Sequence, residues 1–144
     1  MKKTVALLLL IVCLCGLSGC HTFDNAKIDR GESAIYTEKE VEAALRVVKN
    51  QFRLWSLRGY EVHRIAYGGD EECNEKNLAW LNRLNASSGA KKPFTQCIMF
   101  VSEFHTADEY RGDGLTEDME YTGWQWWLAR TDGGRWKIVT YGCA

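Results

Sequence analysis

Glu103 and His105 stand two residues apart in a stretch that reads as a strand, so both side chains leave one face, which Met99 and Val101 share. A carboxylate beside an imidazole is an acid–base pair wherever that face lines a cavity. If the strand instead emerges into water beyond Val101, both groups are solvated. The densest charge lies elsewhere, in Asp70-Glu71-Glu72 with Glu75. Those acids lack both the alternation of a calcium-binding EF-hand loop and its closing glutamate, so no metal is expected. They read as a solvated turn whose charge is favoured by a helix N-terminus just beyond. Asp70 joins Glu103 and His105 as the candidate catalytic residues.

Other reactive groups lack partners. His63 and Arg64 point to opposite faces of their strand, and Ser102 has no identifiable histidine and aspartate to activate it. Cys97 and His105 lie eight residues apart, roughly 26 Å along an extended chain, too far for a nucleophile and its base. The sequence contains no GxSxG, HExxH or glycine-rich phosphate loop. No cofactor is expected.

The N-terminus carries a more specific signal. Lys2 and Lys3 precede an apolar run from Val5 to Leu14, and Leu17-Ser18-Gly19-Cys20 follows with small residues at 18 and 19. This is the layout of a secretory signal peptide. The apolar run is shorter than the roughly 20 residues a stable span requires. The four closing residues resemble the bacterial lipobox, in which the bond between Gly19 and Cys20 would be cut and Cys20 lipidated. The implied division is a signal peptide at 1–19, a lipidated cysteine with a flexible tether at 20–35, and one domain at 36–144. The expected location is the cell membrane, lipid-anchored and facing the extracellular side. His21, next to the anchor, has no expected role.

Without residues 1–19 the 144-residue chain keeps 125, enough for one ordinary domain. It then has 16 basic side chains against 19 acidic ones, and no basic run longer than Lys91-Lys92. A nucleic-acid groove is not expected. Once Cys13 and Cys15 leave with the signal and Cys20 takes lipid, Cys73, Cys97 and Cys143 remain. No CxxC pair exists among them, so neither a redox centre nor a zinc knuckle is indicated. Cys73 and Cys97 both open segments after links and are the expected disulfide, with Cys143 left out at the far end of the last strand.

The elements that must position these groups follow from periodicity. Thr37 can cap a helix and Glu40 can reach back to it, with Tyr36 stapled to Val41. Val41, Ala44, Leu45, Val48, Phe52 and Trp55 then form one apolar stripe until Gly59. Tyr60 to Tyr67 reads as a strand with Tyr60, Val62, Arg64 and Ala66 on one face and Ile65 and Tyr67 on the other. A short helix covers Asn74 to Leu84. Three strands follow at 96–106, 121–131 and 135–142, the last alternating Trp136 and Ile138 with Val139 and Tyr141. Asp132-Gly133 suits the tight turn between the second and third. Helices first and an antiparallel meander last imply a two-layer α+β domain.

Several framework segments carry a family resemblance. The lipobox, Tyr36-Thr37-Glu38-Lys39-Glu40-Val41, Ile65-Ala66-Tyr67, Trp124-Gln125-Trp126-Trp127-Leu128-Ala129-Arg130 and Trp136-Lys137-Ile138-Val139-Thr140-Tyr141-Gly142 together resemble the uncharacterised Firmicutes lipoproteins grouped as DUF4829. The resemblance implies an NTF2-like (cystatin-like) cone, helices packed on a curved antiparallel sheet, over residues 36 to 143. It carries over no catalytic residue.

Six tryptophans, four of them on the last two strands, are many for this length. Trp124, Trp126, Trp127 and Trp136 are either core packing or an aromatic pocket or patch for a partner. The function expected from the sequence is a non-catalytic, surface-tethered binding or interaction module. A membrane, through the lipid, and a peptide, glycan or envelope protein are its expected partners. The alternative is a small hydrolase or isomerase using carboxylate and histidine groups in the cone cavity.

Overall fold

The computed structural model describes residues 23–56, 59–89, 92–108 and 114–143. The signal segment, the Gly19–Cys20 junction and His21 lie outside the described residues. Among the described residues five strands form one sheet in chain order: β1 (Lys27–Asp29), β2 (Tyr60–Tyr67), β3 (Gln96–Thr106), β4 (Glu120–Arg130) and β5 (Lys137–Cys143). The β1–β2 pairing is parallel and the other three are antiparallel, so the sheet is mixed. Helix α1 (Glu38–Ser56) precedes β2, and α2 (Glu75–Ser87) lies between β2 and β3.

The expected capping box starts α1. The Thr37 amide donates to Glu40 Oε2 at 2.9 Å, and the Glu40 amide donates back to Thr37 Oγ1 at 3.3 Å. Glu38 and Glu40 stand in the first turn and Arg53 in the last, in line with the helix dipole. Val41, Ala44, Leu45, Val48 and Phe52 are buried as one stripe. They meet Val62, Ile65, Ile98, Phe100, Phe104, Trp124, Trp126 and Leu128 of the sheet's front face. Phe23, ahead of β1, packs edge-on against Phe52 with ring centroids 6.2 Å apart, beneath Lys49 and Arg53.

The expected NTF2-like cone does not form. The sheet stays open and is covered by a helix on each face. The physical reason lies in the strands themselves. Cys97, Met99, Trp127 and Ala129 form a second apolar surface on the back, and Leu81 of α2 closes it, with Leu78 and Trp80 packed alongside. A sheet apolar on both faces needs two covers, and curling around a single helix would leave one face wet. Asn74 caps α2 by accepting from the Asn77 amide at 2.8 Å.

Three β-bulges decide which side chains reach the front. Val62 pairs with Phe104 and Arg64 with Glu103, so His63 is an extra residue in β2. Tyr60, Val62, Ile65 and Tyr67 therefore share the front face, where simple alternation separates the first two from the last two. In β4 the pairing shifts between Trp124 and Tyr121, with Gly123 at φ +69° inside the bulge. In β5 Val139 is the extra residue, which brings Tyr141 onto the same face as Ile138. Tyr141 accordingly packs on Trp55 and Trp126 at 5.2 and 5.3 Å. Residues 27–29, expected within the flexible tether, are instead β1.

Candidate histidine–carboxylate site

The back face changes character along its length. At one end α2 covers Cys97, Met99, Trp127 and Ala129. At the other end the pairing places Glu61, His105 and Glu120 side by side on β2, β3 and β4. His105 Nδ1 lies 3.3 Å from Glu120 Oε2, and its Nε2 lies 3.0 Å from Asp118 Oδ1. The bulge residue His63 approaches the other Glu120 oxygen through Nδ1 at 3.0 Å and stands 4.0 Å from Glu61. One carboxylate thus serves two histidines. The Asp118 carboxylate holds the His105 imidazole above its ordinary proton affinity against the opposing effect of desolvation, and the Glu120 carboxylate adds to the rise.

Glu103 does share the face of His105, as its spacing implies, yet the two do not pair. Glu103 meets Arg64 Nη1 at 3.5 Å, and Arg64 also lies 3.8 Å from Asp29. Both Glu103 and His105 are about one-third exposed on an open surface, which is the solvated alternative for a strand leaving the core.

Asp70 is at the opposite end of the sheet, in a short 3-10 turn after β2. It accepts from the Ser33 hydroxyl at 2.5 Å, the Tyr67 hydroxyl at 2.6 Å and the Ala34 amide at 2.7 Å. These donors, Ser33 first, hold its carboxyl below the usual aspartate range. Asp70 is a clamp that fixes the segment entering α1, and the three acid–base candidates are not brought together.

Trp124, Trp126, Trp127 and Trp136 are all buried, so the expected aromatic pocket or patch is core packing. Trp126 sits at its centre, its indole donating to Ser102 Oγ at 2.8 Å. The expected Cys73–Cys97 bridge is not formed; both are free thiols, as is Cys143. Cys97 turns into the back cluster and lies 3.9 Å from the Asn74 carbonyl, while Cys73 packs toward the front beside the Tyr67 hydroxyl at 3.3 Å.

A groove of about 1110 Å³ runs outside the helix, between α1 and residues 30–33. Arg30, Ser33, Lys39, Glu42 and Arg46 line it, and Arg30 Nε is paired with Glu42 at 2.7 Å. Among the described residues no group of three or more His, Cys, Asp or Glu side chains is arranged to hold a metal ion. No described helix is long and apolar enough to cross a membrane. No family model matches the chain, and no curated protein and no solved structure matches it.

Sequence reasoning missed the meeting of His63 with Glu120. The bulge that turns His63 toward Glu120 leaves no mark in a run of β formers, whereas Gly123 is a signal for the bulge in β4.

Proposed function

We propose that this chain is a lipid-anchored module on the outer side of a membrane, which binds an envelope polypeptide and has no catalytic centre of its own. The observation that carries the reading is where space is found. The volume between α1 and the sheet is filled by Phe52, Phe100, Phe104 and Trp126, and the concavity lies outside, along α1. That groove alternates Arg30, Lys39 and Arg46 with Glu32, Glu38 and Glu42, which matches an extended polypeptide of mixed charge. Among the described residues that line it the one aromatic is Tyr36, which is buried and offers a sugar no open ring face. The acid–base alternative has less support, since Arg64 occupies Glu103, and Asp70 is at the other end of the sheet. The anchor rests on Leu17-Ser18-Gly19-Cys20.

A photo-crosslinker at Lys39, in the full chain in its native membrane, tests the reading. The expected result is a polypeptide adduct that Arg46→Glu weakens, together with loss of membrane association in Cys20→Ala. Turnover of a small ester or glycoside, or no adduct from the groove, would overturn it.

A further inference from the structure

We infer that the outer face of the last three turns of α1 lies against anionic phospholipid headgroups, with Lys49 and Arg53 as its contacts. The inference rests on the anchor at Cys20 proposed above and adds which side of the domain that anchor turns to the bilayer.

The charge along α1 changes character. Its first turn holds Glu38 and Glu40, and Glu42 follows. From Ala43 to Ser56 the helix has Arg46, Lys49 and Arg53 and no acidic residue. Steps of three and four place these cations on one face, turned away from the buried stripe of Val41 to Phe52. The helix dipole accounts for a cation in the last turn, where Arg53 stands. Its effect fades within that turn and does not reach Arg46 or Lys49. Leu54, next to Arg53, is 67 % exposed, more than any other large apolar side chain among the described residues. Cations beside an exposed apolar side chain suit the boundary between headgroups and acyl chains.

The attachment point emerges at the same place. Phe23 packs on Phe52, with Lys49 Nζ 5.9 Å and Arg53 Cζ 5.7 Å from its ring centre. Cys20 is three residues ahead of Phe23, too few to carry a lipid around the domain to α2 on the other face. A diacyl anchor there brings the headgroups to the rim of the Lys49–Arg53 face. Within a Debye length of an anionic surface each basic side chain is attracted to it. Asp24 follows Phe23 and offsets one of the three charges. Arg46 also lines the groove, so the two surfaces adjoin along α1.

The full chain purified with its lipid from the native membrane, in phosphatidylcholine vesicles with and without phosphatidylglycerol, tests the face. A membrane-impermeant amine reagent followed by peptide mass spectrometry reads Lys49 against Lys76, which is exposed on α2. Phosphatidylglycerol is expected to lower the Lys49 to Lys76 labelling ratio roughly tenfold, the order that two basic side chains at an anionic surface supply. High salt should restore the ratio. Arg53→Glu should remove most of the phosphatidylglycerol effect while the chain still floats with the vesicles. A ratio that phosphatidylglycerol leaves unchanged, in a chain that floats, overturns the face and spares the anchor. A freely soluble chain that carries no lipid overturns both.

Discussion

Glu40 and Arg130, 90 residues apart, form the ion pair that fastens the first turn of α1 to the end of β4. The Arg130 guanidinium is nearly buried, lies 4.2 Å over the Trp136 ring and donates to Gln96 at 2.7 Å. Glu40 also closes the capping box, so one carboxylate joins helix start, sheet and aromatic core.

Glu40→Ala is expected to cost about 2 kcal/mol, because it removes charged hydrogen bonds and a cap together. The Thr37 amide, then Arg130 and the Thr37 hydroxyl, hold the Glu40 carboxyl down to about 2. A carboxylate lowered by folding stabilises above its ordinary value of 4.5 and loses that contribution as pH falls toward 2. Urea titrations across that range should show a steeper loss for the unmodified chain than for Glu40→Gln. Parallel curves would contradict this.

Ser102 and Trp126 are both fully buried and bonded to each other. Ser102→Ala strands the indole N–H and should cost about 2 kcal/mol. Adding Trp126→Phe removes the orphan, so a double-mutant cycle should give a coupling of about 1 kcal/mol. Strictly additive losses would mean the bond contributes nothing.

The bulges separate two kinds of cost. A Cβ at Gly123 meets nothing within 4 Å, so Gly123→Ala should lose only the roughly 1 kcal/mol of a left-handed backbone. Deleting His63 instead removes the extra residue, so Val62 and Arg64 become neighbours opposite Phe104 and Glu103, Tyr60 and Val62 stay on the front face by plain alternation, and the contact with Glu120 is lost. Near-ultraviolet circular dichroism should show a retained aromatic environment for both variants, and its loss in the deletion would contradict this register.

The thiols should differ in reactivity. Burial, and then the neighbouring Cys73, push the Cys97 thiol up to about 11, and burial raises Cys73 as well. Cys143 is exposed at the end of β5. Iodoacetamide at mildly alkaline pH should modify Cys143 first and Cys97 on the order of 100-fold more slowly, followed by peptide mass spectrometry. Equal rates would show that the native fold does not shield Cys97.

Much of the framework was legible because it is local. The capping box at Thr37, the stripe from Val41 to Phe52 and the strand at 96–106 are each set by neighbours in sequence. Adjacent Trp126 and Trp127 already place large apolar groups on both faces of one strand. The second helical cover follows from them, although the resemblance pointed to a cone. The bulges at His63 and Val139 were illegible, since strand periodicity assumes that no residue is skipped. The pairing of His63 with Glu120 depends on one of them and was hidden with it. Asp70 was found for its charge, and its bonds to Ser33 and Ala34 join segments that no local pattern connects.

If Cys20 is lipidated as proposed, the docking of Phe23 against Phe52 limits how far the domain can stand from the bilayer. Three peptide steps separate Cys20 from Phe23, a reach of roughly 10 Å. A lipid on that cysteine would therefore leave no leash: the globule would ride flush with the headgroups, presenting a nearly constant side to the bilayer and sweeping only a shallow arc for partners.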